Sequence, residues 1–317
     1  MKKLKKYLVL TFAILVWTSS SSYAQQTKTT NEKIPENVVL ETDIEYGRAG
    51  ERSLKLDLAR PKDPGDQKLP VIVAIHGGGW ENGSKETFRW LATSVAASGN
   101  YIGITVGYRL TGEAIWPAQI HDCKAAIRWI RANAAKYNID EQRIDATGNS
   151  AGGHLVALLG TSGDVKELEG NCGNAGYSSR VACVVDFCGP SDFLKFVDQR
   201  GSGGRSSVIK LFGGPPADHR DASTAASPVT WASADDPPFL IFHGTEDKTV
   251  PFAQSESLAA ALEKAGASVT FVRVEGGGHG LSGQEISQRR RNFFERHLRN
   301  QSVESPMTPI PAEPTKK

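Results

Sequence analysis

Several features are missing from this sequence, and each absence excludes something. Four cysteines are present without a CxxC pair or a Cys/His cluster, which removes a zinc-stapled framework. Lys and Arg number 37 against 35 Asp and Glu, so the formal charge is only +2 and no basic or acidic tail stands out. That balance offers no footprint for nucleic acid. Nothing calls for a metal or a cofactor, and nothing in 317 residues at 39% hydrophobic content demands a second folded domain.

The N-terminus reads as a processing segment. Lys2, Lys3, Lys5 and Lys6 precede an apolar run from Tyr7 to Trp17, and a polar stretch then ends in Ser22-Tyr23-Ala24. The run has eleven residues, short of a bilayer span. Small residues before position 25 suit a signal peptidase. Residues 1–24 are therefore expected to be a cleaved signal, leaving a secreted or periplasmic protein without stable membrane insertion. No cysteine lies near the cut, which argues against a lipoprotein. Loss of the four lysines takes the formal charge from +2 to −2. An oxidising compartment permits disulfides. Cys183 and Cys188 fall in one strand on opposite faces and should not pair. Cys123 falls on a helical apolar stripe and reads as a buried thiol, while Cys172, in the polar loop before that strand, could reach Cys183.

After a polar lead, 25–36, two β-type runs appear, Val38 to Tyr46 and Leu54 to Leu58. Short apolar strands then alternate with helical segments: Val71 to Ile75, Tyr101 to Val106, Arg143 to Thr147, Val181 to Phe187, Phe239 to Phe242 and Val269 to Val274. Continuous apolar strands of this kind belong in a mostly parallel sheet covered on both faces. Ile120, Cys123, Ile127, Ile130, Ala134 and Tyr137 keep one face of a long helix. The expectation is one doubly wound α/β domain over 37–300, with helices on both faces. Residues 190–231, rich in Gly, Ser and Pro, read as a lid-like insertion, and 301–317 as a disordered tail.

Gly148-Asn149-Ser150-Ala151-Gly152 follows one strand and precedes an apolar helix. In that setting G-x-S-x-G is a strained turn that exposes a serine nucleophile. A serine needs a base, and the base an orienting acid. The strand Phe239 to Phe242 runs into His243-Gly244-Thr245-Glu246-Asp247, and the next strand ends in Gly276-Gly277-Gly278-His279. Both loops lie at carboxyl ends of strands, where open α/β sheets place their sites. Asp247 is the expected acid, with Glu246 its rival, and His279 the expected base. His243, at the end of a buried strand, is expected to hold the loop that positions Asp247. Upstream, His76-Gly77-Gly78-Gly79-Trp80 supplies amides that can point at a developing oxyanion. Gly78, Gly79 and Ala151 are the expected donors, with His76 bracing the loop. Trp80, Trp116 and Trp231 are available to shape a pocket. Trp80 and Trp231 could stack on an aromatic acyl group or a sugar ring, although a Trp packs by default.

At these motifs the sequence resembles the α/β-hydrolase superfamily, in its hormone-sensitive-lipase-like and feruloyl-esterase-like branch. Tyr108-Arg109-Leu110 with Pro117 and Asp122, DFCGPSDF at 186–193, SPVTW at 227–231 and HGTEDKTVP at 243–251 stand in that family's order. The resemblance runs from about Ile44 to Leu298. It implies a serine esterase with a Ser150, Asp247 and His279 triad, acting on a small ester or a carbohydrate ester carrying acetyl or feruloyl groups. Lipase-like members commonly have Asp where Asn149 stands. The HGGGW loop also resembles that of aryl formamidases such as kynurenine formamidase, whose substrate is cytoplasmic. HGTEDKTVP resembles prolyl-oligopeptidase-type exopeptidases, but those usually carry an N-terminal propeller for which this chain has no room. A hydrolase-fold binding protein without catalysis would not need all three triad residues.

Overall fold

A computed structural model of the chain describes residues 33–163, 165–199, 203–304 and 306–312. The expected signal segment lies outside them, and the account below concerns the unit that begins at Ile34. Nine strands form its sheet: β1 (Val38–Ala49), β2 (Arg52–Pro61), β3 (Leu69–Ile75), β4 (Ile102–Val106), β5 (Ile139–Asn149), β6 (Cys183–Phe187), β7 (Phe239–Gly244), β8 (Val269–Glu275) and β9 (Ile310–Pro311). The helices are α1 (Arg89–Ala97), α2 (Ala118–Ala132), α3 (Ala134–Tyr137), α4 (Ala151–Thr161), α5 (Phe193–Phe196), α6 (Arg205–Phe212), α7 (Arg220–Ala226), α8 (Pro228–Trp231), α9 (Ala253–Ala265) and α10 (Gln284–Arg299).

The strand order is β1-β2-β4-β3-β5-β6-β7-β8-β9. β1 and β2 make an antiparallel hairpin, β2 meets β4 antiparallel, and the pairs from β4 to β9 are parallel. Every residue of β3 and β4 is buried, as strands covered on both faces require. Alternate side chains feed two cores. Val71, Val73 and Ile75 join α2, α4 and α9 on one face, while Ile72, Leu240 and Phe242 join Ile286, Phe293 and Phe294 of α10 on the other. The chain leaves β3 toward β4 and returns to β5 on the other side. β3 and β5 therefore flank a switch point, and a crevice opens at their carboxyl ends.

Four departures from the sequence expectation have local causes. The helix over 120–137 breaks at Asn133, whose side-chain amide donates to the Trp129 carbonyl at 2.9 Å. The 190–231 segment is largely helical and docked: Phe193, Phe196, Val208, Leu211 and Phe212 are buried in the main core. Gln254 Oε1 accepts from the Ser191 and Asp192 amides, both at 2.8 Å, so the segment is a fixed cover. All four cysteines are free. The Cys172 thiol donates to Asp122 and the Cys183 thiol to Asp145, so the Cys172–Cys183 bridge does not form.

The fourth departure is at the C-terminus, where part of the expected tail is ordered. Ile310 is buried and pairs with Val274 as β9. The reason is Arg289, a buried guanidinium on α10 that donates to the carbonyls of Pro306 (2.9 Å) and Thr308 (2.6 Å). Its Nε also donates to Glu285 at 2.8 Å. Hydrogen bonds from a charged donor contribute about 2 kcal/mol each at most sites. Arg289→Ala should therefore lower the unfolding free energy by about 2 kcal/mol or more and open 303–312 to proteolysis, read by urea titration and mass spectrometry of the digest. An unchanged digest would mean that β9 is held by Ile310 alone.

Candidate active site

Ser150 sits between the end of β5 and the start of α4 at φ 56°, ψ −122°, a conformation in which L residues are strained. Small neighbours allow it. A Cβ on Gly152 would lie 2.1 Å from the Ile75 carbonyl oxygen, and one on Gly148 would lie 2.5 Å from the Gly152 oxygen. The turn is held by Ser150 N donating to Phe187 O (2.8 Å) and His154 N donating to Ser150 O (2.9 Å).

The glycine loop after β3 packs directly on this turn. The Gly77 amide donates to Asn149 Oδ1 at 3.1 Å, and the place of a Gly77 Cβ lies 3.2 Å from Ser150 Cβ. Gly78 and Gly79 have φ of 107° and 61°, with Gly78 O accepting from the Asn82 amide at 3.0 Å. The amides of Gly78, Gly79 and Ala151 donate to no other group among the described residues. His76 braces the loop: its Nδ1 hydrogen donates to Gly77 O at 2.8 Å, and its ring stacks on Tyr108 at 4.3 Å. The cover segment grips the same loop, because Glu81 accepts from Ser207 at 2.7 Å and pairs with Lys210.

Asp247 and His279 meet from the two loops, with Nδ1–H of His279 donating to Asp247 Oδ2 at 2.7 Å. Oδ1 accepts from the amides of Thr249 (2.7 Å) and Val250 (2.9 Å). Burial pushes the Asp247 carboxyl up. The hydrogen bonds from His243 and His279, the charge of His279 and the Val250 amide outweigh that and hold it well below the usual carboxylate range. The Nε2 hydrogen of His243 is shared between Oδ2 (3.2 Å) and Val250 O (3.0 Å), and its Nδ1 accepts from Ser255 (2.6 Å), so neither nitrogen is open to a substrate. Glu246 is exposed and makes no such contact. His279 keeps Nε2 without a partner among the described residues and is part-exposed. No hydrogen bond joins it to Ser150 in this structure. Such contacts are often long before substrate closes the site. The Cys188 thiol, with Asp247 and His279, forms the one grouping of metal-type donors among the described residues. Asp247 is already saturated by its donors there.

A cavity of about 250 Å³ opens beside His279, lined also by Asn149, Phe187, Trp90, Ser287 and Arg290. A larger cavity of about 420 Å³, between Glu41, Arg60 and Tyr137, holds no nucleophile and no histidine.

The tryptophans chosen from sequence do not line the His279 cavity. Trp80 is buried, with its indole N–H donating to His154 Nδ1 at 3.1 Å and its ring against Phe193. Trp231 packs at the edge of the core, donating to Ala225 O at 2.9 Å. Trp116 is buried beside the His154 ring. Trp90, Phe187 and Arg290 were missed. Phe187 stood in the 186–193 motif at a strand end and could have been found; the other two lie on helices whose pattern puts them toward solvent.

The chain resembles known proteins in sequence and in fold. The family model described as BD-FAE matches residues 56–262. "Esterase LipQ" of Mycobacterium tuberculosis is 31% identical over 75% of this chain and 56% of the relative. The chain spans about half the length of curated relatives such as this one. A "truncated form of carbohydrate esterase from gut microbiota" superposes with TM-score 0.73 at 33% identity, covering 82% of this chain and 96% of that one. "Thermogutta terrifontis esterase 2 phosphonylated by cyclosarin" gives TM-score 0.68 at 28% identity, over 86% of this chain and 97% of that one.

Burial lowers both the His76 and the His154 imidazoles to about 4, against the opposing pull of the Gly77 and Ala226 carbonyls. Each folded value lies below the unfolded one of about 6.5. The unfolded chain therefore binds the proton first, and the stability these groups confer is full above about pH 6.5 and falls as pH drops toward 4. The loss is on the order of 2 kcal/mol per imidazole at pH 5. Urea midpoints should fall between pH 7.5 and 5, and the fall should be smaller in His154→Gln than in the wild type. Equal falls in the two proteins would show that His154 does not titrate in this way.

Proposed function

Because the chain belongs to the BD-FAE family of α/β-hydrolases, we propose that it is an exported serine esterase with Ser150 as nucleophile, His279 as base and Asp247 as orienting acid. The observation that carries the reading is the 2.7 Å bond from His279 Nδ1 to a carboxylate kept ionised by its surroundings. That bond fixes the tautomer whose Nε2 can take a proton. The Ser150 oxygen attacks the ester carbonyl carbon as its proton moves to His279. The carbonyl oxygen becomes an oxyanion within reach of the unengaged amides of Gly78, Gly79 and Ala151. Collapse of the intermediate breaks the bond to the alcohol oxygen, which leaves with the proton from His279. Water activated by the same imidazole then hydrolyses the acyl-enzyme.

The substrate proposed is an acetyl or feruloyl ester of plant carbohydrate. The named carbohydrate esterase among the superposable structures supports it. Export rests on residues 1–24, and the mature chain is expected to begin at Gln25.

Four measurements test the proposal. Ser150→Ala should lower kcat on p-nitrophenyl acetate by roughly 10⁴ to 10⁶, and a fluorophosphonate should label the wild type at Ser150 and leave the variant unlabelled. Full activity in that variant removes Ser150 from the chemistry. Asp247→Asn should cost roughly 10⁴ in kcat with little change in KM, because the imidazole would adopt the wrong tautomer. A panel of acetyl, butyryl and feruloyl esters, with and without a xylan backbone, ranks the substrates.

A further inference from the structure

The cavity beside His279 contains a charged group that the hydrolysis of a plain ester does not use. Arg290, in the second turn of α10, lies on its wall. The guanidinium carbon sits 5.8 Å from the ring centroid of Trp90 on α1, and Trp90 is 44% exposed although it is the largest apolar side chain there. Arg290 makes no hydrogen bond and no ion pair among the described residues. The charged groups that act on it are Asp145 from β5 and the adjacent Arg291. Asp145 is a poor counterion. Burial raises its carboxyl well above the usual range, and its Oδ2 has no partner. No Asp or Glu lines the cavity. A guanidinium without a carboxylate partner, on a wall without acids, suits an anion brought by the ligand.

The residues lining the cavity say which half of an ester would enter. Acyl transfer places the carbonyl oxygen on the loop amides and the leaving oxygen on the histidine. The cavity includes His279 and Asn149 but none of Gly78, Gly79 and Ala151. It is therefore on the side of the departing alcohol. Its wall combines an exposed indole, the Ser287 hydroxyl and the guanidinium. An indole face accommodates the apolar face of a sugar ring, and the polar groups can meet its hydroxyls.

We propose that this cavity is the alcohol subsite, and that it selects an acidic sugar whose ring packs on Trp90 and whose carboxylate pairs with Arg290. The inference rests on the serine-esterase reading of Ser150, Asp247 and His279, and it makes Arg290 a specificity residue with no part in bond breaking.

The test uses the full mature chain and three acetyl esters: p-nitrophenyl acetate, acetylated methyl galacturonoside and acetylated methyl galactoside. The last two differ only in a carboxylate. The wild type should show at least a tenfold higher kcat/KM on the galacturonoside, shrinking as salt is raised. Arg290→Gln should bring the ratio to within twofold of unity through a raised KM on the galacturonoside, with kcat on the two sugar esters retained. A second measurement needs no variant: methyl galacturonoside should inhibit wild-type hydrolysis of p-nitrophenyl acetate at least tenfold better than methyl galactoside. Equal inhibition by the two sugars, or a wild-type ratio near unity with normal p-nitrophenyl acetate turnover, overturns the acidic-sugar subsite and leaves the esterase reading standing. Failure to hydrolyse any of the three esters overturns both.

Discussion

The site depends on how closely α4 approaches the ends of β3 and β5. All eleven residues of α4 are buried, and its first turn runs so near β3 that a single methyl group on Gly152 would overlap the Ile75 carbonyl. With no room for the chain to turn gradually between β5 and α4, Ser150 takes the reversal alone, at positive φ. A residue held in such a conformation carries on the order of 1–3 kcal/mol of strain. The surrounding packing and the two backbone hydrogen bonds of Ser150 hold it there. The same close approach leaves the Ala151 amide at the N-terminal end of a helix, where the dipole favours negative charge. It also sets the turn against the glycine loop, since both follow strands adjacent in the sheet, with Ile75 beside Gly148. The geometry of Ser150 and that of the loop amides are thus consequences of one packing contact.

Environment separates three buried carboxylates that sit on neighbouring strands or their loops. Asp145 and Asp186 are inside the sheet with few donors. Burial takes Asp186 up to about 7 against a single Gly189 amide. Asp247 is just as hidden at its oxygens, yet two amides and two imidazoles converge on it and keep it charged. A carboxylate can hold an imidazole in one tautomer only while it is itself ionised. The two histidines around it divide along the same line. His243 gives one nitrogen to Ser255 and shares the other between Val250 and Asp247, fixing the loop, whereas His279 gives one to Asp247 and leaves the other unengaged among the described residues.

The fold was largely legible in sequence because its parallel strands are apolar on both faces, a pattern that short buried strands cannot disguise. The placement of Ser150, Asp247 and His279 at the carboxyl ends of β5, β7 and β8 was legible for a related reason: each follows such a strand directly, so locating the strand located the residue. What escaped had no local signature. Lys124 and Arg128 lie fully buried on α2 because they meet Glu169 and loop carbonyls some forty residues away. Arg289 orders the C-terminal segment through carbonyls that carry no side-chain information. The Cys172–Cys183 expectation failed because separation along the chain does not say which carboxylate each thiol will find.

The exchange of Trp80 for Trp90 shows where pattern reading fails at a binding surface. Trp80 stood in the motif, and its neighbours in sequence are at the site, but its own positive φ turns the ring inward to His154 and Phe193. Trp90 and Arg290 are two hundred residues apart in the chain. In a parallel α/β sheet each helix runs back against its strands, so helix N-termini gather at the carboxyl edge where the site lies. Trp90 is the second residue of α1 and Arg290 the seventh of α10, and both helices cover the same face of the sheet. Side chains in those first two turns border the crevice even when they lie on a helix face that amphipathic periodicity assigns to water. A polar face at the N-terminal end of such a helix is therefore a candidate wall of the site, and its charge bears on what the site accepts.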